Sequence, residues 1–402
     1  MLVTTKQLLS AVSLCVSILD KTVTLPILQC VRLISANNRL QVISYDLVNF
    51  VKTGINTVTD TPFDICVEGK ALKQYIASIQ GENLELRVIG NRLTLTCGNM
   101  QHEITHESSQ DFPVIYDPKN SSEYSLDTFT LKDIKNLLHI PLKEEIRMNM
   151  SGICFTKGKI VATDGFRLAV IDANEGLTED LIVSLKFATL LSELKESTTL
   201  HISKDAVKAT LGDLEIYTRP IDDMFPNYAS VIPRETAYSV TIKRTELEKT
   251  LKAVSLSSEA LKKVTILEIN NGRLRVSAHN EEKGSESLNE IACRSNIEQF
   301  KVSFNNEYLL NMITSTTDDS IKLEFTENSK AFVMKTETML YLLMPLKDEE
   351  RHIATPEKAL SEARRLAIAG LDQRHEETTE ETIQRLEKQV KIPSPDIKEF
   401  TL

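Results

Sequence analysis

Several common functional signatures are missing from this 402-residue sequence. Six cysteines are scattered along the chain without a C-x-x-C pair, which argues against a zinc ribbon or a dithiol redox site and fits a reducing cytosol. The phosphate-binding pattern G-x-x-x-x-G-K-[ST], a G-x-G-x-x-G after a strand and the G-x-S-x-G elbow of hydrolases are also absent. We therefore expect no cofactor, no metal and no catalytic constellation, and we predict that the protein is not an enzyme.

Long hydrophobic runs are missing too. No stretch is apolar and long enough to span a bilayer, so we expect no membrane partner. The segment LLSAVSLCVSIL after Lys6 lacks the A-x-A-like cleavage site of a signal peptide. Its polar residues Ser10, Ser13 and Ser17 recur at helical spacing opposite apolar ones, which predicts an amphipathic helix. The expected location is the cytoplasm.

Positive charge is in deficit, because 47 Lys and Arg stand against 57 Asp and Glu, giving a net charge of -10. This total argues against a general polyanion binder, although it says nothing about the charge of one face. The length and ordinary apolar content suit a soluble chain of several domains with real cores.

One literal catalytic motif does occur, since HEITH within residues 101–107 has the form H-E-x-x-H. That motif binds zinc only when a helix stacks its two histidines on one face. Here the preceding RLTLTC alternates with period two, which predicts a strand. His102 and His106 would then lie roughly 13 Å apart, too far to share one metal ion. A zinc hydrolase using His102, Glu103 and His106 is therefore a remote alternative.

Internal repetition is the most informative feature of the chain. The segments ISANNRLQVISYD, CFTKGKIVATDGF and EINNGRLRVSAHN each predict strand, tight polar turn and strand, with Leu40, Ile160 and Leu274 in register. Each is followed by a strand that leads into a short amphipathic helix, in VEGKALKQYIASI, VSLKFATLLSEL and VSFNNEYLLNMI, and then by hairpins. The order recurs with a period of about 115 residues, which is a domain size.

The predicted fold class is α+β, with three repeated domains that each pack two helices on antiparallel sheet. We expect these domains at 1–122, 123–236 and 237–347, followed by a C-terminal extension at 348–402 that is partly helical or disordered. The helices of each domain can bury their apolar stripes only against one face of the sheet, which leaves their other faces free.

The free helix faces carry candidate contacts to DNA. These are Lys6, Lys21, Lys70, Lys73, Lys132, Lys135, His139, Lys186, Lys249 and Lys252. On any single helix, such residues most simply keep the surface soluble. If the three domains form an arc with the helices on its concave edge, the same residues form a basic strip suited to a phosphate backbone read without sequence preference.

Three motifs carry a resemblance to a known family: VATDGFRLAVI (161–171), FPNYASVIP (225–233) and YLLMPLK (341–347). With TLPILQCVRL (24–33), they make residues 1–347 resemble the bacterial DNA polymerase III beta subunits, the beta sliding clamps. The resemblance implies a DNA clamp fold in which each chain is half of a six-domain ring. A head-to-tail homodimer would encircle duplex DNA without sequence specificity and tether the replicative DNA polymerase for processive synthesis.

The resemblance also implies a hydrophobic pocket for linear motifs of DNA polymerase, clamp loader and repair proteins. Its members would be Arg147, Met150, Thr163, Gly165, Phe166, Arg167, Leu168, Pro226, Ser230, Val231, Asn305, Tyr308, Leu342, Met344, Pro345, Leu346 and Lys347. Phe166 stands where the family usually has His, and Ser230 and Lys347 stand where it often has Arg, so the pocket should be poorer in guanidinium groups.

The dimer interface implied by the resemblance matches Phe112 and Pro113 in the first domain and Ser255 and Leu256 in the third. Ser255 replaces a usually apolar residue, which predicts a weaker dimer. The extension from residue 348 carries 9 Lys and Arg against 13 Asp and Glu, and either regulation of partner access or a passive appendage fits it. A static, non-catalytic DNA-binding scaffold stays open as an alternative to the clamp.

Overall fold

The computed structural model describes residues 1–20, 25–57, 62–113, 121–142, 145–175, 177, 179–258 and 263–346, and residues 1–346 form one compact unit. These described ranges contain 24 β-strands and six α-helices. Their order, which is one strand, a helix, four strands, a helix and three strands, occurs three times. The α+β class is thus confirmed, and the recurring order supports three domains whose boundaries stay predictions. The C-terminal extension and Lys21 lie outside the described residues.

The first helix of the first repeat is amphipathic, as predicted, and the first hairpin turns over Asn37 and Asn38, which both adopt positive φ. Asparagine tolerates this left-handed region, and two such residues in a row suit the two-residue turn of a hairpin. The elements are β1 (Leu2–Thr4), α1 (Thr5–Val16), β2 (Cys30–Ala36), β3 (Arg39–Tyr45), β4 (Asn49–Asn56), β5 (Phe63–Glu68), α2 (Gly69–Ser78), β6 (Asn83–Ile89), β7 (Arg92–Cys97) and β8 (Met100–Ser108).

The second repeat has the same order with shorter helices. Side chains cap both of them, because Asp127 accepts the Thr130 amide at 2.7 Å and Ser184 accepts the Phe187 amide at 3.1 Å. The elements are β9 (Ser122–Leu126), α3 (Thr128–Ile134), β10 (Gly152–Thr156), β11 (Lys159–Thr163), β12 (Arg167–Asp172), β13 (Leu181–Ser184), α4 (Leu185–Ser192), β14 (Thr198–Ile202), β15 (Val207–Leu211) and β16 (Leu214–Thr218).

The third repeat turns its first hairpin over Asn271 and Gly272, again both at positive φ. The elements are β17 (Tyr238–Lys243), α5 (Arg244–Val254), β18 (Val264–Asn270), β19 (Arg273–Asn280), β20 (Ser285–Ser295), β21 (Gln299–Asn305), α6 (Asn306–Thr314), β22 (Ser320–Phe325), β23 (Phe332–Lys335) and β24 (Met339–Leu343).

Strand pairing joins the repeats into two antiparallel sheets of 12 strands each. One sheet has the order β1-β6-β7-β8-β5-β2-β3-β4-β16-β15-β14-β9, and the other has β13-β10-β11-β12-β24-β23-β22-β17-β20-β19-β18-β21. The first repeat therefore meets the second through β4 and β16, with Phe50 opposite Tyr217. The second meets the third through the corresponding strands β12 and β24, with Leu168 opposite Leu342.

The two helices of each repeat pack as a pair on sheet, so each helix buries one stripe. Leu8, Leu131 and Leu247 lie at matching helix positions and are fully buried. The three residues that align in the sequence repeats, Leu40, Ile160 and Leu274, are buried at matching hairpin positions, which confirms the alignment. Within the described ranges, no helix has the length and apolarity needed to cross a membrane.

Candidate functional site

The candidate partner site lies where the second repeat meets the third, and it is built on the turn between β11 and β12. Asp164 Oδ1 accepts the amides of Phe166 and Arg167, each at 2.9 Å, and Gly165 adopts a φ of +90°. A side chain at residue 165 would be strained at this φ, which explains the glycine. The turn pushes the Phe166 side chain outward, 63% exposed, while Arg167 stays buried.

Arg167 ties the turn to both repeats. Its Nε donates to Asp164 Oδ2 at 2.9 Å, one terminal nitrogen donates to the His139 carbonyl at 2.5 Å, and its guanidinium lies 4.0 Å from the ring centre of Tyr308 on α6. This combination of a buried ion pair, hydrogen bonds and a cation–π contact holds the Arg167 side chain in one position. Arg167 therefore links the second repeat to the third through fixed side-chain contacts.

His139, which is half-buried, lies next to Arg167. Its ring stacks on Tyr341 of the third repeat with a centroid distance of 6.1 Å, and its Nε2 is 3.1 Å from the Tyr341 hydroxyl. Burial, and after it the nearby Arg167 charge, lowers the pKa of His139 to about 4. His139 is thus neutral at pH 7 and engaged inside the protein.

The floor of the site is aliphatic. Leu168 and Leu342 face each other across the junction and belong to a buried cluster with Val161, Val170 and Val333. The segment that follows β16 covers part of this cluster with Phe225, Tyr228 and Ile232. Leu168 and Leu342 are each only 2% exposed, so they form a packed aliphatic layer beneath the rim.

The rim of the site exposes large apolar side chains. Phe166 is 63% exposed, Val231 55% and Met344 36%, and Met148 and Met224 are exposed as well. Asn149 Nδ2 donates to the Met224 carbonyl at 3.0 Å, which ties together the two segments that carry these methionines. A concentration of exposed apolar groups around a defined floor is typical of an interaction surface.

Most of the predicted pocket residues come together here through the contacts above and through three further links. Thr163 Oγ1 donates to the Arg167 carbonyl at 2.9 Å, Asn305 caps α6 by accepting the Tyr308 amide, and the Leu346 amide donates to the Ser303 carbonyl. Pro226, Pro345 and Leu346 are half-buried, and Met150 is half-buried beside exposed Arg147. Ser230 is exposed, and Lys347 lies outside the described residues.

Sequence reasoning missed Asp164 and Tyr341. Comparison of the repeats could have pointed to Asp164, because Asp46 in the first repeat builds the same turn. Asp46 Oδ1 accepts the amides of Val48 and Asn49 at 3.0 and 2.6 Å. No comparable sequence signal marks Tyr341, which is fully buried on β24.

The junction of the first and second repeats has the same backbone frame but a different floor. The Arg219 amide donates to the Val48 carbonyl there at 2.9 Å, just as the Met344 amide donates to the Phe166 carbonyl at 2.8 Å. In place of Leu168 and Leu342 this junction has Phe50 and Tyr217, whose rings meet edge to face at 5.3 Å. Two aromatic rings thus occupy the positions that two leucines occupy at the other junction.

Lys186, a predicted DNA contact, is part of this first junction. Its Nζ donates to the Ile18 carbonyl and to carboxylate oxygens of Asp20 and Asp46, each at 2.7 Å. The Asp46 side chain is only 4% exposed, so Lys186 neutralises a carboxylate that would otherwise be buried without a cation. With His139, it is the second predicted DNA contact that is engaged inside the protein.

The other predicted DNA contacts lie on helix surfaces. Lys6, Lys132, Lys135, Lys249 and Lys252 are exposed, and Lys70 and Lys73 are half-buried. Lys252 also contacts half-buried Glu248 at 2.6 Å, one helical turn away, and such a surface pair contributes little to stability.

The HEITH segment forms β8, so the predicted strand is confirmed. The ring nitrogens of its histidines have different partners, because His102 Nε2 is 3.1 Å from Ser78 Oγ and His106 Nε2 is 3.1 Å from the Gly90 carbonyl. Across the described part of the chain, no group of three or more His, Cys, Asp or Glu side chains is placed to hold a metal ion.

The predicted interface residues differ in exposure. Phe112 is 3% exposed and packs with Phe50 and Tyr217 in the core of the first junction, beside half-buried Pro113. Leu256, by contrast, is 82% exposed and follows α5 directly, next to half-buried Ser255. Leu256 is therefore the member of this set that is available for a partner.

Two family profiles match the chain. The DNA polymerase III beta subunit, N-terminal domain, matches residues 1–137, and the DNA polymerase III beta subunit, C-terminal domain, matches residues 229–347. Among curated proteins, the chain is similar to the beta sliding clamp of Pseudomonas aeruginosa, with 23% identity over 85% of this chain and 98% of that protein. It is also similar to the beta sliding clamp of Caulobacter vibrioides, with 26% identity over 85% and 97%.

Solved structures agree on the fold. The DNA polymerase III beta subunit of Thermotoga maritima superposes with a TM-score of 0.78 at 22% identity, covering 86% of this chain and 98% of that chain. A sliding clamp of Bartonella birtlesii bound to griselimycin gives a TM-score of 0.79 at 21% identity, covering 86% and 99%.

The neutral state of His139 generates a prediction about acid stability. A folded-state pKa near 4, below the ordinary 6.5, means that the unfolded chain binds the proton first, so stability is lost as pH falls from about 6.5 towards 4. We expect His139→Gln to remove up to about 3 kcal/mol of this loss at pH 4, since each pKa unit corresponds to about 1.4 kcal/mol. Urea unfolding of both proteins at pH 7, 5 and 4 measures the difference; parallel losses would contradict it.

Proposed function

The chain belongs to the DNA polymerase III beta subunit family, and on that premise we propose that it is a sliding clamp in which two copies close head to tail around duplex DNA. The clamp tethers the replicative DNA polymerase in the cytoplasm and catalyses no reaction itself. The domains of the proposed ring are 1–122, 123–236 and 237–347 of each copy.

The observation that carries the proposal is the repeated junction. In each repeat, four strands lie between the two helices. The third of these strands pairs with the last strand of the next repeat, first as β4 with β16 and then as β12 with β24. In the third repeat the equivalent of β4 and β12 is β20. The same pairing would join β20 of one copy to β8, the last strand of the first repeat, of a second copy. Each step is head to tail, and a head-to-tail contact closes a ring when its rotation divides the circle.

Both strands needed for that third step have an open edge. Residues 100–105 of β8 pair only with β7, and residues 285–292 of β20 pair only with β19, within the part of the chain that the structure describes. An open edge offers a row of backbone donors and acceptors to another strand. Met100 on β8 and Leu288 on β20 are 42% and 45% exposed, and Leu256 is 82% exposed, which supports an apolar contact at these edges.

The helix surfaces supply the DNA contacts in this proposal. Lys6, Lys132, Lys135, Lys249 and Lys252 are exposed on the first helix of each repeat, so a ring would repeat them around its hole. Long lysine side chains reach phosphates through flexible stems and water, without reading bases. Such contacts hold DNA with no preferred register, so processivity comes from closure of the ring.

The site between the second and third repeats is the proposed pocket for linear motifs of polymerase, clamp loader and repair proteins. Its exposed rim and aliphatic floor suit a peptide that inserts one or two apolar side chains. Arg167 is held inside by Asp164, and Phe166 occupies the rim, so apolar contact dominates recognition. The other predicted members, including Ser230 and Lys347, belong to the proposal on the family resemblance.

The contrast between the two junctions predicts how to close this pocket. We expect Leu342→Tyr, which copies Tyr217 at the first junction, to replace the aliphatic floor with a larger ring and weaken binding of a polymerase-derived peptide by tenfold or more, because a lost anchor costs ~1–3 kcal/mol. Isothermal titration calorimetry measures the affinity. Tyr217→Phe is the matched control and should bind as the parent does. Unchanged affinity in Leu342→Tyr, with the fold intact by circular dichroism, would contradict this assignment of the floor.

The proposed ring predicts which exposed leucine holds the dimer. We expect Leu256→Glu to shift the protein towards a monomer, with a dimer dissociation constant at least about tenfold higher, because a charge is costly to bury at an apolar contact. Sedimentation equilibrium measures the constant. Ile89→Glu is the control, since Ile89 is 66% exposed at a hairpin outside every proposed contact, and it should leave the dimer intact. Equal dimerisation of the two variants would remove Leu256 from the interface.

A further inference from the structure

The helix α3 exposes an aromatic residue on the face that the clamp proposal turns towards DNA. Phe129 is 75% exposed, the largest exposed fraction of any big apolar side chain on the described α-helices. It contributes almost nothing to the core, since Thr130, Leu131 and Ile134 form the buried stripe of α3. A single exposed Phe is common on protein surfaces, so its surroundings decide whether it has a role.

Comparison of the three repeats shows that the position of Phe129 is exposed in each of them. Phe129 is the second residue of α3, and the second residues of α1 and α5 are Lys6 and Thr245, which are also exposed. Two repeats therefore place a polar side chain where the second repeat places a ring. The helix does not need an aromatic residue here to fold.

The surroundings of Phe129 are cationic. Phe129, Lys132 and Lys135 recur every three residues and are all exposed, so they form one stripe, and Lys132 Nζ lies 5.9 Å from the Phe129 ring centre. The acidic groups of the helix are engaged elsewhere, because Asp127 caps α3 and Asp133 is half-buried and bonded to Thr338. A ring flanked by lysines matches a base flanked by phosphates.

We propose that Phe129 stacks on an unpaired base of DNA, while Lys132 and Lys135 hold the adjacent phosphates. A fully paired duplex hides its base faces in the stack, so the contact is available only where one strand is single, as at the junction of primer and template. The proposal rests on the clamp function and deepens it: the ring slides on duplex DNA and is held at a junction.

The test uses the full-length protein and two DNA probes of equal length at one salt concentration. The first is a primer–template whose first unpaired template base is 2-aminopurine, and the second is fully paired. We expect the parent protein to quench the 2-aminopurine fluorescence and to bind the junction at least about fivefold more tightly than the duplex, in line with the worth of one base–aromatic stack. Phe129→Tyr should keep both effects.

Phe129→Thr, which installs the residue of the third repeat, should lose the quenching and bind both probes equally, with its duplex affinity unchanged. Ile89→Thr is the control for loss of an exposed apolar side chain and should behave as the parent. The inference is overturned if Phe129→Thr keeps the junction preference, or if it changes only polymerase binding, which would make Phe129 a protein contact. A parent protein with no preference for the junction probe would overturn this inference alone, whereas the clamp function itself would be overturned if the protein were not retained on nicked circular DNA.

Discussion

Backbone hydrogen bonding across the repeat junctions is the constraint on which the rest of the molecule depends. A repeat of eight strands and two helices ends in sheet edges, and an unpaired edge invites pairing with another strand. Here β4 finds β16 and β12 finds β24, so each repeat satisfies the edge of the next. The pairing fixes the register between repeats, and with it the direction in which the helix pairs face.

The two internal junctions show how one backbone frame can serve two purposes. Asp46 and Asp164 build the same turn, and the same carbonyl of that turn accepts an amide from the following repeat. The side chains at the two junctions, however, differ. Phe50 and Tyr217 pack edge to face in the first junction, where Lys186 adds a partly buried ion pair, so this junction is a structural seam. At the second junction the equivalent residues are Leu168 and Leu342, and Arg167 is buried, so the exposed side chains of the rim are apolar, as the proposed peptide site requires.

Much of this architecture could be predicted from the sequence, because the pattern of apolar residues recurs three times along the chain. Leu40, Ile160 and Leu274 align without gaps in their hairpins, and alternation in RLTLTC was enough to place HEITH on a strand. The site was harder to predict. No pattern distinguishes a lysine that faces solvent from Lys186, whose partners Asp20 and Asp46 lie far away in the sequence. His139 likewise lies in the turn just after the solvent-facing lysines of α3, and only the fold shows Tyr341 stacked against it. Pairing across a junction is a long-range property, and the hydrophobic period is a local one.

In the proposed clamp, closure of the ring, and not tight binding, holds the protein on DNA. The net charge of -10 is consistent with this, since a chain that gripped polyanions by charge alone would be expected to carry the opposite sign. The most direct test loads the protein onto nicked circular DNA, divides the sample, cuts one half with a restriction enzyme and passes both through a sizing column. A closed ring stays with the circle and is lost from the linear DNA through its ends. Equal retention on both forms would contradict the account, because it would show a protein that is bound to DNA without encircling it.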